Sequence, residues 1–314
     1  MKRQYFRRPE RIKSKGKRWR RLRGLALTPF YWGFALKAGA PGLFIHRKAA
    51  ALGAKLLFLW RLPFRDAYGL MFHPMDSFRY FELGTLWEYL GSGGRDVFRY
   101  LDVSSPRLFP VLFLDEMKGV VAEIVNPDGK DLEATVRMMA AAGLSDRCRF
   151  HAKVVHDLDF PPGTFDLITS ISAIEHIPGG EDFRAVERLW GFLKPGGRML
   201  ITVPCAREAF EEYMDFNEYG ILVPDESGHV FGSTCYDSRM LEERFFSVAG
   251  EPRRMAVFGE KVAGAFFRNR SSKLSDPDYP FWQEPYMMGR DYGRFRSVGE
   301  LPGLGVVAME FLKW

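Results

Sequence analysis

The residues best suited to chemistry in this chain mostly follow apolar runs. In FRYLDVSSPRLFP, residues 98–110, a run of strand character ends on Asp102 and turns through Ser104, Ser105 and Pro106. One acid and two hydroxyls at such a turn can hold a polar ligand, and proline suits the start of the helix that follows. A second group, Ser170, Ser172, Glu175 and His176, closes the run TFDLITSIS and begins the next segment. Histidine ionises near neutrality, so His176 can move a proton at physiological pH. Asn126 and Asp157 follow two further apolar runs. Residues 205–237 supply Glu208, Glu212, Tyr213, Asn217, Tyr219 and His229, side chains that can hydrogen-bond hydroxyl groups. Cys148, Cys205 and Cys235 are odd in number and far apart. No pair has metal-ligand spacing, so free, mostly buried thiols in a reducing cytoplasm are expected.

Positioning these residues requires alternating strands and helices. Strands are expected over 98–103, 119–125, 149–155, 164–172 and 198–204, with helices over 106–117, 127–143 and 181–193 between them. Near-continuous apolar strands in β-α-β alternation imply an α/β fold with a mostly parallel sheet covered by helices on both faces. Ligands in such sheets sit at the carboxyl ends of the strands, after Val103, Val125, Val155, Ile171 and Val203. Two later strands are expected over 253–259 and 305–312. The aromatic, Arg- and Pro-rich stretch 266–297 between them reads as an ordered excursion covering the site, or as packing against the body.

Charge divides the chain unevenly. Residues 1–23 hold 12 of the 45 Lys and Arg and one of the 39 acids, leaving 33 basic and 38 acidic residues elsewhere. A mobile basic tail, residues 1–23, is therefore expected, followed by a helical lead-in over 24–95 that GSGG, 91–94, breaks before the first sheet strand. The uncharged run Gly24–Leu36 has 13 residues, short of the roughly 18 that span a bilayer. Basic residues punctuating Trp32, Phe34, Phe44 and Trp60 leave three readings for residues 1–62: contact with an anionic membrane surface, helices packed on the body, or a nucleic-acid arm.

FDLITSISAIEHI followed by FLKPGGRMLITVP resembles the class I S-adenosylmethionine-dependent methyltransferases, in the small-molecule branch. The resemblance covers about residues 96–260, roughly half the chain. It implies a Rossmann-like sheet of about seven strands, mostly parallel with an antiparallel last strand, completed here by residues 261–314. It also implies S-adenosyl-L-methionine as cofactor. The family's first strand ends in an acid and a Gly-x-Gly-x-Gly turn. Asp102 keeps the acid, but Ser104, Pro106 and Leu108 stand at the glycine positions, so Ser104-Ser105-Pro106 is expected to turn without positive φ.

By the same resemblance, Asn126, ahead of Glu123, is the candidate for the cofactor ribose. Asp157, ahead of Asp159, is the candidate for the adenine, and Ser170 and Ser172 lie near the sulfonium. His176, with Glu175, is the candidate base for an acceptor hydroxyl. A related metal-binding subfamily carries Glu-x-x-Glu-His here; Ser172 replaces its first Glu, and no metal is expected. The implied reaction is methyl transfer, with the hydroxyl of a small molecule, sugar or lipid-linked glycan as the expected acceptor. RNA methylation through the basic tail, or a non-catalytic partner or scaffold role, are the alternatives. The net-acidic body argues against RNA, and the lost glycines favour the scaffold.

Overall fold

The computed structural model describes residues 1–314 except 15, 92–97, 218–219 and 221, and for residues 17, 18, 20 and 21 the backbone only. Its main sheet contains β2 (Arg99–Val103), β3 (Val121–Val125), β4 (Cys148–His151), β5 (Phe165–Ile171), β6 (Leu193–Cys205), β9 (Arg254–Glu260), β10 (Tyr292–Phe295) and β11 (Gly305–Leu312). The spatial order is β10-β9-β11-β6-β5-β2-β3-β4. The pairs from β4 through β6 are parallel, whereas β11 runs antiparallel between β6 and β9. The fold is Rossmann-like, with β10 an eighth strand at one edge.

Alternation along the strands feeds two cores. Tyr100 and Leu167 face a core built with α2 (Leu43–Phe58), α4 (Arg79–Leu90), α5 (Leu108–Glu116) and α6 (Gly129–Ala142). Leu101, Val103 and Ile168 face the opposite core, with α7 (Asp182–Phe192) and the helical segment 238–249. Helix α6 begins where Asp128 accepts hydrogen bonds from the backbone N–H groups of Lys130 and Asp131, and ends at Gly143, whose φ is 74°. Lys194-Pro195-Gly196-Gly197 lies within β6 and does not precede it. The β5–β6 register shift between Phe165 and Leu167 accommodates this extension.

The expectation of a mobile tail over residues 1–23 changes. Lys2–Phe6 is not a free tail: it forms β1, parallel to β7 (Phe210–Met214), which pairs antiparallel with β8 (Val230–Cys235). Phe6 is buried on Phe267, with the Arg270 guanidinium 4.5 Å from its ring centre, and this apolar anchor offsets the cost of ordering the strand. Helix α1 then starts at Lys17, inside the expected tail, and runs to Lys37. The lead-in is helical, as expected, and its last helix packs into the body. Helix α4 is buried along most of its length, and Gly84 meets the Gly42 backbone so closely that an added Cβ would lie 2.7 Å from the Gly42 Cα. Gly91 ends α4 with φ 47°; the remainder of the expected 91–94 break lies outside the described residues.

Candidate active site

Two cavities open at the carboxyl edge of the sheet and meet at Arg79, Ser172 and His176. The first, about 740 Å³, lies across the ends of β2, β3 and β5. Its walls include Val103, Val125, Val155 and Ile174, with Ser104, Ser105, Pro106, Asn126 and Asp128 from the turns. The second, about 410 Å³, lies between α4, the small sheet of β1, β7 and β8, and residues 266–281.

The turn after β2 keeps the glycine conformation without the glycine. Ser104 has φ 52°, in the left-handed region, contrary to the expectation of a turn without positive φ. Its N–H donates to the Val125 carbonyl at 2.8 Å and its hydroxyl reaches the same oxygen at 3.3 Å, bonds that hold the residue in this costly conformation. Ser105 Oγ accepts from the Ile171 N–H at 3.3 Å, tying the turn to β5. Asp102 does not line the cavity. It is buried beneath the turn, where its Oδ1 accepts from the Tyr100 and Thr169 hydroxyls, each at 2.8 Å. Burial, opposed by these bonds and by Ser105, raises its carboxyl to about 6.

The remaining cofactor candidates divide. Asn126 lines the cavity, although its amide already donates to Asp131 and accepts from the Asp128 N–H. Glu123, the other ribose candidate, is buried against His151 at 2.7 Å and is not among the cavity residues. Asp157 is exposed and not in the wall. The short 3₁₀ turn Val155–Asp157 presents Val155 and His156 to the cavity, because successive side chains on such a turn diverge by about 120°. Ser170 is fully buried, with its hydroxyl lacking a partner, and also stands outside the cavity wall, since it lies within β5 while here the wall takes its residues from Ser172 onward. Ser172, with φ 45°, lines both cavities; its hydroxyl donates to Glu82.

His176 stands at the junction. Its Nδ1–H donates to the Gly232 carbonyl at 2.5 Å, which in the neutral ring places the acceptor lone pair on Nε2. Burial lowers its pKa to about 4, against the opposing effect of that bond. Glu175 lines the second cavity, and burial pushes its carboxyl up to about 8 even though Arg79 lies nearby. At neutral pH it is mostly a neutral acid and therefore a hydrogen-bond donor.

The second cavity draws most of its charged residues from segments outside the expected core. Arg79 pairs with Glu82 at 2.7 Å, Lys273 with Asp76 at 2.9 Å and Glu284 at 3.1 Å, and Arg270 with Glu212 at 2.7 Å. Of the expected acceptor residues, Glu212 reaches this wall. Tyr213, next along β7, faces the other way toward Tyr5 and Arg3, as the strand period requires. Asn217 closes a local turn through Gly220 and Leu222, and His229 meets Tyr5 edge-on; neither lines the cavity. Glu208 lies in a separate groove beside Gln4 and Pro302. Tyr219 lies outside the described residues. Sequence reasoning missed Arg79 and Glu82 on α4 and Arg270 and Lys273 in the excursion. The aromatic, Arg-rich content of 266–297 was the available sign.

Residues 115–197 match the family model for a methyltransferase domain. Over this stretch the chain carries a methyltransferase domain. It is 27% identical over 136 residues to a phosphoethanolamine N-methyltransferase of Plasmodium falciparum, covering 41% of this chain and 49% of that protein. It is 34% identical over 128 residues to a "Probable tocopherol O-methyltransferase, chloroplastic" of Oryza sativa subsp. japonica, covering 40% and 34%. The chain thus spans between a third and a half of the length of these curated relatives. Among solved structures, a geranyl diphosphate C-methyltransferase from Streptomyces coelicolor A3(2), with S-adenosyl-L-homocysteine bound, aligns with TM-score 0.46 and 14% identity over 74% of this chain and 75% of that one.

The cofactor of this domain family is S-adenosyl-L-methionine, and the residues present fit it. The first cavity falls in the roughly 300–1,000 Å³ range of small-molecule sites, and the left-handed Ser104 turn lets backbone approach a ligand. Val103, Val125 and Val155 supply apolar surface for a purine, and Asn126 and Asp128 supply polar groups for a sugar. S-adenosylmethionine bound there supplies an electrophilic methyl group.

Proposed function

We propose that this chain transfers the methyl group of S-adenosylmethionine to a hydroxyl of a neutral, polyhydroxylated acceptor, a small molecule, sugar or lipid-linked glycan, held in the second cavity. The observation that carries the reading is the position and tautomer of His176 at the meeting point of the two cavities. Nε2 accepts the hydroxyl proton as the oxygen–methyl bond forms and the sulfur–methyl bond breaks. A low histidine pKa suffices, because the oxygen becomes strongly acidic as it is alkylated, and burial keeps the ring in its neutral, accepting form. Much of the acceleration comes from holding oxygen, methyl and sulfur in line. Each cation named in the acceptor wall is paired with a carboxylate, and Glu175 is mostly neutral at pH 7. Such a charge-balanced, hydrogen-bonding wall suits hydroxyls better than a charged group.

Calorimetry with S-adenosylmethionine, joined to an assay of S-adenosylhomocysteine released with a panel of neutral glycosides, tests the reading. The His176→Ala variant is expected to bind cofactor like the parent chain while kcat falls by roughly 10²–10⁴. Absence of binding at millimolar cofactor would favour the scaffold alternative, and an unchanged kcat would remove His176 from the proton path.

A further inference from the structure

Residues 11–65 contain 14 Lys and Arg and no acid, whereas the rest of the chain has 31 basic and 39 acidic residues. The same segment carries a concentration of exposed apolar side chains. On α1, Gly24 packs against Tyr68, Trp32 against His46, and Ala35 is buried, so one face is docked on the body. The other face exposes Trp19, Leu22, Phe30 and Leu36, each more than half accessible. At the corner after α2, Phe58 is 82% and Trp60 94% exposed, and Phe64 opens the next helix 52% exposed. Trp60 sits at φ 56°, a left-handed residue that closes α2 as its N–H donates to the Leu57 carbonyl at 3.0 Å, and its side chain projects into solvent. Arg61 and Arg65 flank the corner and are exposed.

We infer that this chain docks on an anionic lipid surface through the outer face of α1 and the corner Phe58–Phe64. Exposed tryptophan and phenylalanine beside arginine, on a segment with no carboxylate, complement a bilayer interface, where the rings enter the headgroup layer and the cations meet anionic lipid. No described helix is long and apolar enough to cross a membrane, so the contact is interfacial. Continuity with the site adds to the argument. A cleft of about 1050 Å³, lined by Arg61, Arg65, Arg107 and Arg137 and by Asp66, Asp76 and Asp131, runs from this corner to Arg79, one of the residues shared by both active-site cavities. A lipid-borne hydroxyl at the surface thus has a polar cleft leading toward the methyl donor. That last step rests on the proposed methyl transfer, whereas the docking does not.

Flotation of the full chain with vesicles of phosphatidylcholine and phosphatidylglycerol, against vesicles of phosphatidylcholine alone, tests the docking without any activity assay. The expected result is partition onto the anionic vesicles that weakens in high salt, with the Phe58→Ala/Trp60→Ala double variant binding about tenfold less tightly. Both side chains are exposed, so the variant should keep its thermal stability, and calorimetry with S-adenosylmethionine reports whether the first cavity is intact. No flotation, or equal flotation of parent and variant, would overturn the inference. So would light scattering that shows the same substitutions dissociating a dimer of the chain with no vesicle binding.

Discussion

Two residues make the site's chemistry depend on its surroundings. Glu175 has an ordinary value of 4.5, raised to about 8 by burial. The folded chain therefore holds this proton more tightly than the unfolded chain. Its contribution to stability is full below 4.5 and is lost as pH rises through 8, by roughly 1.4 kcal/mol per pH unit at most. Glu175→Gln, neutral at every pH, should match the parent near pH 7 more closely than near pH 9, where it should be the more stable protein. Urea denaturation at pH 5, 7 and 9 checks this, and parallel curves would mean the carboxyl is not desolvated. Ser104 is the second case, because φ 52° strains any residue but glycine. Ser104→Gly should keep cofactor affinity within about threefold, while the β-branched Ser104→Val should destabilise the chain by roughly 1–3 kcal/mol and weaken binding. Calorimetry of both variants decides whether the turn's shape, and not its hydroxyl, holds the cofactor.

At the scale of elements, α4 links the lead-in to the catalytic sheet. Glu82 is fully buried on it and accepts from Arg79, the Ser172 hydroxyl and the Thr202 hydroxyl. It thereby holds the left-handed Ser172 turn against β6. Glu82→Ala leaves a largely desolvated guanidinium unpaired. The cost should be about 3 kcal/mol, at the lower end of the range for a broken buried pair, because Arg79 remains 30% exposed. Chemical denaturation measures it, and a loss below about 1 kcal/mol would show that α4 is held by apolar packing alone. The excursion after β9 has a matching role. Phe266, Phe267, Arg270 and Lys273 cover the acceptor cavity, and Phe6 on β1 supports Arg270 from behind. The order of the first strand is thus coupled to the acceptor wall.

Across the whole molecule, the division between what the chain spelled out and what folding decided follows the range of the interactions. Apolar runs and Gly and Pro punctuation act locally, so the sequence by itself determined the parallel strands, a helix over most of 127–143 with its Gly143 stop, and a strand near the carboxyl terminus, whose antiparallel direction the family resemblance implied. It also determined that His176 would sit at a strand's carboxyl end. Side-chain direction after a turn is not local in this sense. A 3₁₀ turn presented His156 and turned Asp157 outward, and the phase of β7 separated Glu212 from Tyr213. Tertiary structure alone brought Arg79, Glu82, Arg270 and Lys273 to one cavity from segments 190 residues apart, through packing of α4 beneath the sheet edge and the excursion above it. It alone set Ser104 at positive φ, because the Val125 carbonyl that holds it belongs to the neighbouring strand.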